Sequence, residues 1–170
     1  MDASGFGLAV GTYEEARAMI GAVSGPHSAQ IDVSAALIKL FCAAVQDPNP
    51  RYWDDDVEGG IVAPPAMLMT WLMPLEWTPT GQRSENLLAA QVPLPGEILI
   101  NVSNEAEFYT DARPGDKLYV TERLVEVSPK KTTSVGSGHF ITTCSNYYNQ
   151  RDELIGEITN VMFRFGAPEA

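Results

Sequence analysis

The sequence predicts an α+β fold in which a curved antiparallel sheet wraps around a central apolar helix. Three observations predict it. Helical segments come first and a run of strands follows, the segregation expected of α+β domains. Four runs after residue 96 are rich in Val, Ile, Thr, Tyr and Phe and are separated by turn clusters. One helical segment, Ala66 to Met73, has no charge on any face, and a short helix without a polar face must sit in the middle of something.

Residues 1–12 are small and Gly-rich and read as a flexible tail; residues 13–170 read as a single domain with no internal repeat. Tyr13 to Ile20 holds helix formers and stops at Gly21, which suits a short helix with a Gly cap. Ser24 to Ile31 reads as a short strand around a Gly-Pro turn signal. Asp32 then stands as an N-cap before "VSAALIKLFCAAV". Lys39 is the single charge in that run, so the helix is expected to be largely buried. Pro48 and Pro50 prevent it from continuing.

In "GGIVAPPAMLMTWLMP", Pro64 or Pro65 suits a first helical turn, where its missing N–H is no loss, and Pro74 ends the helix. "EWTPTGQRSEN" follows as a polar loop. The four strands are "EILINVSNEAEFYT", "DKLYVTERLVEV", "GHFITTCSNYYNQ" and "ELIGEITNVMFRFG". Leu118 and Val120 alternate with Tyr119 and Thr121, the period of a half-buried strand.

The chain has 170 residues and a net charge of −11. That length holds one domain with a proper core. The charge argues against nucleic acid and anionic membrane surfaces as partners, because both reward basic patches. The longest uncharged run, Gly59 to Leu75, is broken by Pro64, Pro65 and Pro74 and is too short to span a bilayer. Glu14 and Glu15 stand where an export signal would be apolar. Cys42 and Cys144 lack the paired spacing of a zinc site and read as two buried thiols. A cytoplasmic protein without a metal is expected.

"AAVQDPNPRYWDD", residues 43–55, raises the question of function. Alone, its Asp47 is a turn residue after a helix, since Asp and Asn bond back to the backbone in turns. Three further segments change its weight: "GGIVAPPAML", "INVSNEAEFYTDARPGDKL" and "YYNQRDELIGE". Together and in this order the four resemble the MaoC-like hydratases and dehydratases. The likeness is to the branch described as the N-terminal half of MaoC-like and fungal-synthase-like dehydratases. The resemblance implies a hotdog fold. It also implies (R)-specific hydration of enoyl thioesters, or the reverse dehydration, with coenzyme A as part of the substrate and no other cofactor.

The family signature is Asp-x-Asn-Pro-x-His. An Asp and a His side by side share the proton transfers of water addition, and an N–H at the start of the central helix stabilises the enolate oxygen. Residue by residue, Asp47, Asn49 and Pro50 match, but Tyr52 stands where the His belongs. A tyrosine, with a free pKa of about 10, is a poor base at neutral pH. The two histidines, His27 and His139, do not match the motif. At the helix start Pro64 and Pro65 have no N–H, so Ala66 or Met67 is the expected donor.

No catalytic residue is therefore assigned. Asp47 is a motif remnant, and Asp47, Asn49, Tyr52, Ala66, Met67 and Trp71 are the expected substrate-binding residues. Hotdog domains pair side by side, joining their sheets and building acyl clefts between halves. The resemblance thus implies the non-catalytic subunit of a heteromeric enoyl-CoA hydratase, beside a second hotdog subunit with an intact Asp/His pair. Two alternatives stay open. One is a self-sufficient homodimer using Asp47 and a water, helped by Tyr52 or His139. The other is a non-enzymatic acyl-thioester binding or scaffold module. "APPAML…W" resembles the MaoC-like subunits of steroid side-chain hydratases, which implies a bulky acyl group with Trp71 at the cleft. Arg51, Arg83, Lys130 and Lys131 are the candidate cations for coenzyme A.

Overall fold

The alternating runs become strands because each has one face to bury. The computed structural model describes residues 7–75, 77–79 and 87–166. The strands are β1 (Val23–Ser28), β2 (Ile98–Phe108), β3 (Tyr119–Val127), β4 (Lys131–Thr133), β5 (Gly136–Tyr148) and β6 (Leu154–Phe165). They form one antiparallel sheet in the order β1-β3-β5-β6-β2, with β4 hairpinned onto β5. The helices are α1 (Tyr13–Ala18), α2 (Ala35–Val45), α3 (Leu68–Trp71) and α4 (Leu88–Gln91). This is the expected α+β hotdog arrangement.

The register puts the inner face of the sheet into rows. One row is Val120, Tyr147, Gly156 and Phe108; the next is Glu122, Ser145, Ile158 and Ala106; the third is Leu124, Thr143, Asn160 and Asn104. The core divides along these rows. One cluster joins Tyr147, Ile155 and Ile158 of the sheet to Ile38 and Cys42 of α2 and to Met67, Leu68 and Trp71. A second joins Leu124, Val127 and Ile141 to Ala16 of α1 and to Leu88 and Ala89 of α4.

Local chemistry explains the helix ends. Thr12 caps α1 in a reciprocal box with Glu15, and Gly21 follows at φ 91°, a left-handed position that suits glycine. Ser34, not Asp32, is the N-cap of α2. Gln46 closes α2 in the left-handed region at φ 57°, sending its N–H and that of Asp47 back to the helix carbonyls.

The expectation that α2 is largely buried is corrected. Only Ile38 and Cys42 are fully enclosed, while Leu37, Leu40 and Val45 face outward, Leu40 at 66% exposure. An apolar pattern cannot distinguish a helix buried in its own domain from one covered by a partner. The central helix is also shorter than predicted. Pro65 does start it, but Pro65–Met67 is a 3-10 turn and α3 ends at Trp71. The concave face is then covered by a second short helix, α4, which sequence reading left unassigned. The Glu122 carboxylate accepts the Leu88 N–H at 2.9 Å and so fixes the start of α4.

Of the expected tail, residues 1–6 lie outside the described residues. Ala9 exchanges backbone hydrogen bonds with Ala90 and Leu94, and its carbonyl accepts from the buried Arg164. Of the expected polar loop, residues 76 and 80–86 also lie outside them.

Gly156 is where α3 rests on the sheet. A Cβ there would lie 2.8 Å from the Glu107 carbonyl oxygen and 2.9 Å from Leu68 Cδ2. Gly156→Ala is expected to destabilise the fold by about 1–3 kcal/mol through overpacking. The thermal unfolding midpoint, measured by circular dichroism, should fall by several degrees.

Candidate functional site

Asp47 and its neighbours fold as two nested turns. The Asn49 N–H donates to Asp47 Oδ1 at 3.0 Å, and the Arg51 N–H donates to Asn49 Oδ1 at 3.1 Å. Asn49 thereby caps the single 3-10 turn Pro50–Tyr52. The indole N–H of Trp53 closes the loop on the Asp47 carbonyl at 2.7 Å. Tyr52 is half-buried and packs against the cluster that holds Trp71. Burial pushes the Cys42 thiol pKa up, and the nearby Asp47 charge adds to that.

Both histidines lie on strands, outside the Asp47 loop. His27 lies on edge strand β1 opposite Val120 and is hydrogen-bonded to Ser24. His139 is buried, stacks on Tyr13 and bonds the Ser128 carbonyl. It stands on β5 eight residues from Tyr147, roughly 26 Å along an extended strand.

A cavity of about 180 Å³ opens beside this loop. Pro64 and Pro65 form one wall, Leu68 and Trp71 another, and Phe108 and Asp111 a third. Trp71 lines this cavity, with its indole N–H buried and unpartnered among the described residues. Asp47, Asn49 and Tyr52 do not line it. The link between loop and cavity is Arg51, whose guanidinium pairs with Asp111 at 2.6 Å, with Arg113 3.6 Å from the same carboxylate. The Met67 N–H closes a turn on the Pro64 carbonyl. Exposed Ala66 is left as the candidate N–H donor of the first turn, where backbone N–H groups lack helical partners.

Sequence reading missed Phe108, Asp111 and Arg113. All three lie within "EFYTDARP", part of one of the segments that carried the resemblance, but nothing local marked Phe108 and Asp111 as cavity residues. Lys131 pairs with Gly138 at the far end of β5, so neither it nor adjacent Lys130 is placed at this cavity. Arg83 lies outside the described residues.

The sequence matches the family described as FAS1-like, dehydratase domain region, over residues 18–158. The chain belongs to this family. It is MaoC-like, as the motif segments implied. It is 29% identical over 160 residues to a probable enoyl-CoA hydratase alpha subunit of Thermomonospora curvata, a match covering 88% of this chain and 50% of that protein. It is 32% identical over 144 residues to the 3-oxo-4,17-pregnadiene-20-carboxyl-CoA hydratase alpha subunit of Mycobacterium tuberculosis, covering 78% and 45%. The chain spans about half the length of these curated relatives.

Among solved structures, a chain of the ChsH1-ChsH2 complex from Mycobacterium tuberculosis superimposes with a TM-score of 0.76 at 25% identity, covering 92% of this chain and 98% of that one. A MaoC-like dehydratase from Rhodospirillum rubrum shares the fold at a TM-score of 0.58 and 24% identity, covering 88% and 94%.

The nested turns make Asp47 a structural residue whatever else it does. Asp47→Ala is expected to cost about 1 kcal/mol, the usual cost of losing a side-chain cap, and Asp47→Asn only a few tenths. Urea unfolding of the two variants measures the difference.

Proposed function

We propose that this chain is a subunit of a two-chain enoyl-CoA hydratase, holding part of the acyl cleft while the partner supplies the proton-transferring pair. One observation carries the reading: Tyr52 occupies the position of the catalytic His, and Asp47 Oδ1 is engaged in its own turn. Hydration adds the water oxygen to the β-carbon and a proton to the α-carbon, and the base that deprotonates water must stand beside the substrate. Here Tyr52, not a His, follows Asp47 in the motif. What the chain retains is a pocket wall: the 3-10 turn at Pro65, the indole of Trp71 and the aromatic end of β2.

The partner's place is supported by β2. It is an 11-residue edge strand whose outer side pairs with no strand among the described residues. Ile98, Ile100, Val102 and Phe108 are exposed along it. A long apolar edge is a pairing surface unless something blocks it, and a second hotdog sheet added there would face the cavity that Phe108 lines. Relatives described as alpha subunits, and a neighbour solved as a two-chain complex, agree with such a pair.

The acyl group is proposed to be bulky and apolar, as in a steroid side-chain thioester. α3 is a single turn, so it fills less of the concave face than a long central helix would. Arg51 and Arg113, paired with the cavity residue Asp111, are the candidate cations for coenzyme A. No helix among the described residues is long and apolar enough to cross a membrane. We place the pair in the cytoplasm, where the free thiols Cys42 and Cys144 stay reduced.

The test is an enoyl-CoA hydration assay on the purified chain, alone and with a hotdog protein of intact Asp-x-Asn-Pro-x-His sequence from a neighbouring reading frame. The expected result is no turnover by the chain alone and activity on adding the partner. Turnover by the chain alone overturns the helper reading. Binding of acyl-CoA without turnover in either state identifies a binding module instead.

A further inference from the structure

Edge strand β2 carries two chemistries on one face. Every residue of it but Leu99 is exposed. Ile98 and Ile100 stand opposite Phe165 and Phe163 of β6, and Glu105 and Glu107 opposite Thr159 and Glu157. These β6 positions alternate with Ile158 and Met162, which pack into the core, so they and their β2 partners face outward. The bulge between Asn101 and Ser103 keeps both ends of β2 on this outer face. One end is apolar, with exposed Ile98 and Ile100 beside the stacked rings of Phe163 and Phe165. The other end is acidic.

The acidic end lacks a counter-charge. Glu107 directly opposite Glu157 is a like-charge pair that disfavours the sheet. No Lys, Arg or His stands on β2, and no ion pair reaches Glu105, Glu107 or Glu157 among the described residues. Glu107 accepts the Tyr109 hydroxyl at 2.7 Å. That bond raises the Tyr109 pKa, and the charges of Glu107 and Glu157 add to it. Arg113, the next cation along the chain, is drawn to Asp111 and to the Gly59 carbonyl. Arg123 on β3 is opposite Cys144, three strands in from β2 and so roughly 14 Å away.

A second copy of this chain cannot supply the missing charge. Paired antiparallel on β2, it brings only β2 residues to the seam. The register centred on the bulge sets Glu105 opposite Ile100 and Glu107 opposite Ile98, a carboxylate on an apolar side chain at both ends. Registers shifted toward the acidic end set Glu against Ser103 or against Glu. An open edge that fits itself this poorly is guarded against self-pairing.

We propose that β2 selects its partner by charge. It takes an antiparallel edge strand with apolar side chains opposite Ile98 and Ile100 and Lys or Arg opposite Glu105 and Glu107, and it rejects a second copy of itself. This inference rests on the two-chain reading above and names the chemistry of the partner's edge. The apolar end supplies contact area, and the charged end fixes direction and register. A slip of one residue turns the partner's cations to the other face and leaves both carboxylates unpaired.

The test uses the two-chain complex with the hotdog protein from the neighbouring reading frame. Dissociation constants are measured by calorimetry at about 0.05 and 0.5 M salt, a range over which exposed charges become screened. The wild-type complex is expected to weaken about tenfold across that range. Glu105→Gln with Glu107→Gln should weaken it about tenfold at low salt and remove most of the salt dependence. Glu105→Lys with Glu107→Lys should weaken it about a hundredfold or more, because cations then face cations. The melting midpoint of the free Lys variant should not fall, since it relieves the repulsion from Glu157. In sedimentation the wild-type chain alone should stay monomeric at concentrations that saturate the two-chain complex.

Unchanged affinity of the Lys variant for the partner overturns the proposal and leaves the two-chain reading standing. A wild-type homodimer as tight as the two-chain complex overturns it as well. Failure of the wild-type chain to bind the partner removes the two-chain reading and this proposal together.

Discussion

The constraint on which the rest depends is that one concave sheet face must be covered, and the chain covers it with two short helices. α3 ends after Trp71, shortly before Pro74, and α4 begins at Leu88 with its first N–H held by Glu122. Each helix seals its own apolar cluster.

The same economy governs the loop after α2. Asp47 and Asn49 spend their side chains on holding the backbone through nested turns. Trp53 ties the loop to itself, and Arg51 ties it to Asp111 at the cavity. A loop built this way keeps its shape when its catalytic partner residue is exchanged for Tyr52. On the proposed reading it supports an acyl cleft while the partner performs the proton transfer.

Much of this was legible in the sequence, for physical reasons. The four long strands were readable because alternation has a period that survives local exceptions, such as the bulges in β2 and β3. α1 and its Gly21 stop were readable from caps. α4 was not, because a four-residue helix shows no period. The exposure of α2 was not, because Leu37 and Leu40 look the same to the sequence whether they meet a core or a partner. At the candidate site, Asp47 and Trp71 were singled out only through the family resemblance. The separation of Asp47 from the cavity lining, and the meeting of Phe108 with Trp71, depend on how β2 crosses the sheet and carry no local signal. Glu105 and Glu107 read as ordinary strand polar residues until the register placed both on the outer face.

The central claim is that this chain shapes the cleft while the proton-transferring pair lies on its partner. It is tested most directly by the kcat of the reconstituted two-chain complex carrying Asp47→Asn on this chain alone. The account predicts a rate within about twofold of the unsubstituted complex, since Asn49 still finds an acceptor at residue 47. A fall of about a hundredfold or more, the loss of a general acid or base, with the complex still assembled, would contradict it.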